Sequence, residues 1–406
     1  MRIALGLSMC MVLVAPLAGA AGITVVNLDS GGEGFNDATA TTSPITGSPS
    51  TLGADRLACF NAAADVWETI LAIDVEIRVG ANFDPLGGTV MGGTPLGAAG
   101  PEVSARDFTG APQSSTWYTV AQANQHFGSD LDPGFNDVGA VFNSDVDDPT
   151  EVPGFSWYYG IDGSPPGGTI DFFSTVMHEI GHGIGFLSLV STSTGAKSGG
   201  FNDIYSDQLQ HGGSGGDTAF NSLSNAGRVT AFTSVSELEW IGSFSVGSGT
   251  YNASGDPVLM YAPASVETGS TLSHWDTTNS PNLLMEPFAT DPFTDLTLEL
   301  AAFRDMGWPL ALDPDLLYVD VDHTGTEAGT AGNPFDALRQ AVNTANDNAD
   351  INIEPGSYTE TFSGGSAIDK PLTLSNGTPA GGDVVLGASA RNANRDRQPD
   401  SGFVNP

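Results

Sequence analysis

Two imidazoles and a carboxylate lie within five residues at His178-Glu179-Ile180-Gly181-His182. On a helix, residues four apart share a face, so His178 and His182 project side by side and can hold one ion together. Glu179, one position on, reaches the outer shell of that ion. Two nitrogen ligands beside a carboxylate suit zinc-dependent hydrolysis of a peptide bond. The ion acidifies a water and polarises the carbonyl, and Glu179 takes the proton as general base. The chain has only six histidines, so an accidental pairing at this spacing is a poor explanation.

Such a site needs a third protein ligand. The extended pattern H-E-x-x-H-x-x-G-x-x-H is met at Gly185 but ends on Ser188, a poor zinc ligand, so the third ligand lies elsewhere in the chain. His126 sits in a Gln/Asn-rich stretch, and His323 lies beyond the expected domain boundary. His211, in a Gly-rich loop, is open as a candidate, and Asp203 and Asp207 are weaker oxygen alternatives. His274 has the richest surroundings: Ser273-His274-Trp275-Asp276, then Leu283-Leu284-Met285-Glu286-Pro287.

Taken together, His178-Glu179-x-x-His182-x-x-Gly185-Phe186, Ser273-His274-Trp275-Asp276 and Leu284-Met285 resemble the leishmanolysin-like branch of the metzincin zinc metallopeptidases. The resemblance spans about residues 23–309, with its specific motifs confined to 171–188 and 273–287. It implies His274 as the third zinc ligand, Met285 as the Met-turn residue beneath the metal, and an insertion that leaves the catalytic helix near Ser188. The sequence departs from the eukaryotic members in being cysteine-poor. Its two cysteines are Cys10 and Cys59, and a cysteine that blocks the zinc in a propeptide has no clear counterpart.

The ligands need a helix, and the sequence supplies one. Asp171 to Leu187 has helical spacing, with Asp171 or Ser174 to cap its start and Gly183 and Gly185 to mark its end. Upstream, Ile23 to Asn27 forms a short strand. Leu57, Phe60, Ala64, Trp67, Ile70 and Leu71 share one face of a helix over 56–73. Val75, Ile77 and Val79 alternate with Glu76 and Arg78 as in a half-buried strand. Residues 81–170 are expected to be loops and short strands. Leu296 to Met306 is a short amphipathic helix closing the catalytic part. The expected fold class is α+β: a metzincin-like zincin domain with an active-site helix, followed by a small β-rich segment.

Composition bounds the rest. Acidic residues outnumber Lys and Arg 48 to 12, for a formal net charge of −36, which excludes nucleic acid and anionic membranes as ready partners. Asp145-Val146-Asp147-Asp148 and Asp320-Val321-Asp322 make Ca2+ a second candidate cofactor beside Zn2+, without an EF-hand pattern. Arg2, the apolar run from Ile3 to Leu17 and the small residues Ala18-Gly19-Ala20 form a signal peptide over 1–21. The protein is therefore expected to be secreted, at the cell surface or free, with no membrane span. Cys10 falls in the signal, so Cys59 is the one cysteine of the mature chain and is expected in the core.

The expected domains are a zinc metallopeptidase domain over 22–312, a β-rich accessory segment over 313–390 and a disordered tail over 391–406. Tyr318-Val319-Asp320, Gly332-Asn333-Pro334-Phe335, Leu338 to Ala345 and Ile353 to Glu360 resemble the opening of a right-handed parallel β-helix. The leading functional expectation is an endopeptidase acting on protein or peptide substrates. The alternative is an extracellular surface or carbohydrate-binding protein with a catalytically silent zincin scaffold.

Overall fold

The computed structural model describes residues 21–88, 93–212, 216–248, 258–289 and 296–311. Beyond these it describes 316–322, 324, 334–336, 338, 340–341, 349–354, 356–360, 372–376 and 384–388. Residues 1–20 of the expected signal peptide and the expected tail over 391–406 lie outside the described residues, as does most of the stretch from Leu338 to Ala345. The chain is of mixed α+β class and divides into two compact units. One holds residues up to Thr69 and Ile73–Trp308, and the other holds Ile70–Ala72 and everything from Pro309 onward.

In the first unit a four-stranded sheet carries strands β1 (Ile23–Asn27), β2 (Ile77–Asp84), β3 (Gly97–Pro101) and β4 (Val138–Asn143). Their order is β1-β2-β4-β3. β1, β2 and β4 run parallel, while β3 runs antiparallel to β4 at the edge. The alternation expected for β2 continues past Val79, because Ala81 and Phe83 are buried like Ile77 and Val79. The region expected as loops and short strands holds β3 and β4, and it also contains helix α2 (Val120–Phe127), which was not expected. α2 was hidden in the sequence because its buried face includes Gln122 and Asn124, so apolar periodicity is weak there. Gln122 donates to the Met306 carbonyl, and Asn124 donates to Asp137.

Helices α1 (Leu52–Ile70) and α3 (Phe172–Ile184) build the core with the sheet. Trp67 of α1 is fully buried and donates from Nε1 to the Met177 carbonyl of α3 at 3.1 Å. Phe172, at the start of α3, meets Phe83, Phe142, Trp157 and Tyr159 in ring contacts. Asp171 caps α3 by accepting from the Ser174 amide, and Gly185 closes it at φ 137°. Gly183 lies in the last turn of the helix, one residue before its final position. A Cβ there would come within 2.2 Å of Val138 Cγ1, so glycine is what lets α3 lie directly on β4.

Arg56 is buried between this core and a long loop. It donates to Asp147, Tyr159 and the Gly34 carbonyl and lies 4.3 Å from the centre of the Phe83 ring. The acidic run nominated for calcium is thus turned toward protein donors. Asp147 takes Arg56, Tyr159 and the Trp157 amide, Asp145 takes the Gly87 amide, and Asp148 takes Thr150. Cys59 is buried and free, as expected of a core residue.

In the second unit, Leu316–Val319, Ala349–Ile353 and Leu372–Asn376 stack as parallel strands. Gly356–Glu360 and Val384–Ala388 form a second parallel pair. Leu317, Val319, Leu338, Ala341, Ile351 and Ile353 make its buried cluster.

Candidate metal centre

α3 places His178 and His182 one turn apart on the same face, with ring centroids 4.6 Å apart. The third imidazole arrives from a segment 92 residues further along. His182 Nε2 lies 3.1 Å from His274 Nε2 and 3.0 Å from His178 Nε2, and His178 Nε2 lies 3.1 Å from His274 Nε2. Three nitrogens therefore form a nearly equilateral triangle. Among the described residues this is the grouping of His, Cys, Asp and Glu able to hold a metal ion.

The tautomers are fixed from behind. Nδ1 of His178 donates to the Leu284 carbonyl at 2.8 Å, that of His182 to the Phe186 carbonyl at 2.7 Å, and that of His274 to the Ser270 carbonyl at 2.8 Å. A carbonyl only accepts, so each proton sits on Nδ1 and each Nε2 presents a lone pair. Burial lowers the pKa of all three rings, that of His182 to about 3 with help from His178, so the rings are neutral. Three lone pairs aimed at one point repel unless a cation stands among them. The circle through the three atoms has a radius of about 1.8 Å (the mean side divided by √3). That spacing is compatible with the ~2.0–2.1 Å of a zinc–imidazole bond, so His178, His182 and His274 would together hold one ion. The donor set fits a divalent transition metal, and outer-shell carbonyls on every ligand are the usual support of such a site.

Glu179 points away from the triangle's supporting carbonyls and toward the edge strand. Its carboxyl is buried, and a Cβ on Gly97 of β3 would lie 3.0 Å from its Oε1. Burial pushes its pKa up to about 8, opposed by the Ala99 amide, which donates to it. Its Oε2 is buried with no protein partner. A carboxyl poised to exchange a proton near neutral pH thus lies under β3, in the residue next to His178.

Met285 lies beneath α3. A Cβ on Gly181 would come within 2.7 Å of its Sδ, so this glycine makes room for the thioether. The Met285 carbonyl accepts from the Trp275 amide at 2.9 Å. Glu299, buried in the closing helix Thr297–Asp305, accepts from Trp275 Nε1 and the Met285 amide, each at 3.2 Å. One carboxylate therefore ties the His274 segment to the Met285 segment. Glu299 escaped the sequence analysis, although a charged residue on the apolar face of an amphipathic helix was the available signal.

Ser188 has a positive role. Its amide donates to Ser273 Oγ at 3.1 Å, and its hydroxyl meets Ser206 Oγ at 2.7 Å. The chain leaves α3 by binding the neighbour of the distant ligand. The other candidates stand apart from the triangle. His211 pairs with Glu237 at 3.3 Å. His126 lies in α2, where burial lowers its pKa. Asp203 accepts from the Ser206 and Leu189 amides, and Asp207 from Asn202 and Asn221. His323 lies outside the described residues. Compared with known proteins, the chain matches no family model, no curated protein and no solved structure.

Proposed function

We propose that the chain is a secreted zinc-dependent endopeptidase of the leishmanolysin-like metzincin type. The observation that carries this reading is the convergence of three lone-pair nitrogens, from His178, His182 and His274, beside the buried carboxyl of Glu179. A structural metal site has no need of a proton acceptor at that place. Zinc held by the three imidazoles would supply Lewis-acid polarisation of a carbonyl and an acidified water. Glu179 accepts a proton on its carboxylate and returns it to the leaving nitrogen, and the Ala99 amide orients it for both transfers. β3 is the edge of its sheet and runs past Glu179, so an extended peptide can add to it as a further antiparallel strand. That geometry favours a peptide over a compact substrate. Met285 and Glu299 act through the ligands, by holding the floor of the site.

The parallel strands of the second unit support the accessory-domain expectation and a β-helix-like architecture. They also leave the surface-binding alternative a physical basis. A gelatin or casein zymogram separates the two. Wild type is expected to clear the substrate, chelator to stop it, and Glu179→Ala to remain inactive with its metal retained. A zinc-loaded wild type that cleaves no protein overturns the peptidase reading in favour of the silent scaffold.

A further inference from the structure

The insertion that follows Ser188 holds a second grouping of charge. Lys197 and Arg228 line one open pocket of about 480 Å³ together with Ala196, Gly200, Leu223 and Asn225. Acids outnumber bases four to one in this chain, and Lys197 is one of only two lysines. The ionisable lining here is nonetheless two cations and no carboxylate. Neither cation forms a salt bridge among the described residues.

Both side chains are fixed by neutral oxygens. Lys197 Nζ donates to Asn202 Oδ1 and to the Asn221 carbonyl, each at 2.6 Å. Arg228 donates from Nε to the Gly195 carbonyl and from Nη2 to Asn225 Oδ1, both at 2.6 Å, and from Nη1 to the Leu223 carbonyl. An ammonium has three N–H bonds and a guanidinium five. One N–H of Lys197 and two of Arg228 are therefore left over. Asn225, whose Oδ1 is taken by Arg228, keeps its amide NH2 as a further donor.

Stapling loops together explains why these side chains are rigid, but not why they are charged. The two acceptors of Lys197 could be served by the NH2 of a glutamine without the cost of desolvating a cation, although the three acceptors of Arg228 could not. The nearest carboxylates, Asp207 and Asp203, act on Lys197 from outside the lining. Asp207 is turned to the amides of Asn202 and Asn221. Burial, then the charge of Arg228, lower the pKa of Lys197, while Asp207 and Asp203 act in the opposite sense without reversing the shift.

We infer that Lys197, Arg228 and Asn225 form a binding site for a small oxyanion, a carboxylate or a phosphate. Three side chains with donors left over line one pocket and can share the oxygens of one anion. The surrounding negative field discourages loose ion condensation, so occupancy depends on these direct bonds. The site is independent of the metal centre and of the activity proposed for it.

The test is amine footprinting of the full chain by mass spectrometry, at constant ionic strength with chloride as the balancing anion. Lys370 serves as internal reference for Lys197. Inorganic phosphate is one probe, and a short peptide with a free C-terminal carboxylate is the other, with its amidated twin as control. We expect saturable protection of Lys197 but not of Lys370. Calorimetric affinity for the protecting probe should fall about tenfold or more in Lys197→Gln and in Arg228→Lys. Protection by phosphate identifies a free oxyanion as the ligand, and protection by the acid peptide but not its amide identifies a polypeptide carboxylate. Equal labelling of Lys197 with and without both probes overturns the site. So does unchanged affinity in a folded Lys197→Gln.

Discussion

Gly181→Ala is the substitution that most sharply tests how the floor of the site supports its ligands. A Cβ at 181 would stand 2.7 Å from Met285 Sδ and 3.2 Å from its Cε. Ordinary contact begins near 3.4 Å, so Met285 must retreat by roughly 0.7 Å in a core packed like a crystal. Met285 is fully buried and is held at both backbone ends, by the Trp275 amide and by Glu299. The preceding carbonyl, Leu284, is the acceptor that orients His178. Overpacking costs about 1–3 kcal/mol, and replacing glycine by alanine in a helix returns about 1 kcal/mol. The net loss of stability is therefore expected at about 0–2 kcal/mol. Zinc affinity should fall more clearly, by about 10–100-fold, as when other outer-shell partners of a metal ligand are disturbed. Denaturant unfolding of the metal-free protein measures the first quantity, and competition with a chromophoric chelator measures the second. Gly181→Ala combined with Met285→Ala should show favourable coupling, because the new methyl enters vacated space. A single Gly181→Ala variant with wild-type stability or better, and zinc affinity within twofold, would refute the link between Met285 and His178.

Other perturbations probe the remaining parts. Glu179→Ala should lower peptide hydrolysis by about 10²–10⁴-fold while zinc content by atomic absorption stays at one per chain; turnover near wild type removes Glu179 from the mechanism. His274→Ala should weaken zinc by more than about 100-fold, since outer-shell losses alone reach that size, and retained stoichiometric metal after dialysis would point to a different third ligand. Gly183→Ala should be severely destabilising, because its Cβ meets the β-branched Val138 at 2.2 Å, and thermal melts should show partial rescue by Val138→Ala. His126 titrates below its usual value because it is buried with Nε2 unpartnered. The unfolded chain therefore takes up that proton first on acidification. Wild type should then lose stability relative to His126→Gln as pH falls from 7 to 5, and a stability difference independent of pH contradicts this.

Much of the site was legible because local spacing determines it. A helix brings residues four apart together whatever lies around it, so His178, Glu179 and His182 follow from the sequence and from Asp171, which caps that helix. Burial of Cys59 and the face of α1 follow from apolar periodicity in the same way. Ser188 showed only that a ligand was missing. Which of His126, His211, His274, Asp203 or Asp207 completed the triangle could not be decided by spacing, because contact across 92 residues is a property of packing. The tertiary structure decided it through backbone carbonyls at Leu284, Phe186 and Ser270, which fix all three tautomers and carry no side-chain signature. The same holds for Gly181 and Gly183, whose reasons are Met285 and Val138, distant in sequence. It holds too for α2 and Glu299, where polar groups are buried because their partners lie on other elements. The five residues His178 to His182 set two imidazoles and a carboxyl on one helix, and the long-range contacts of the chain bring the third imidazole and the floor beneath them.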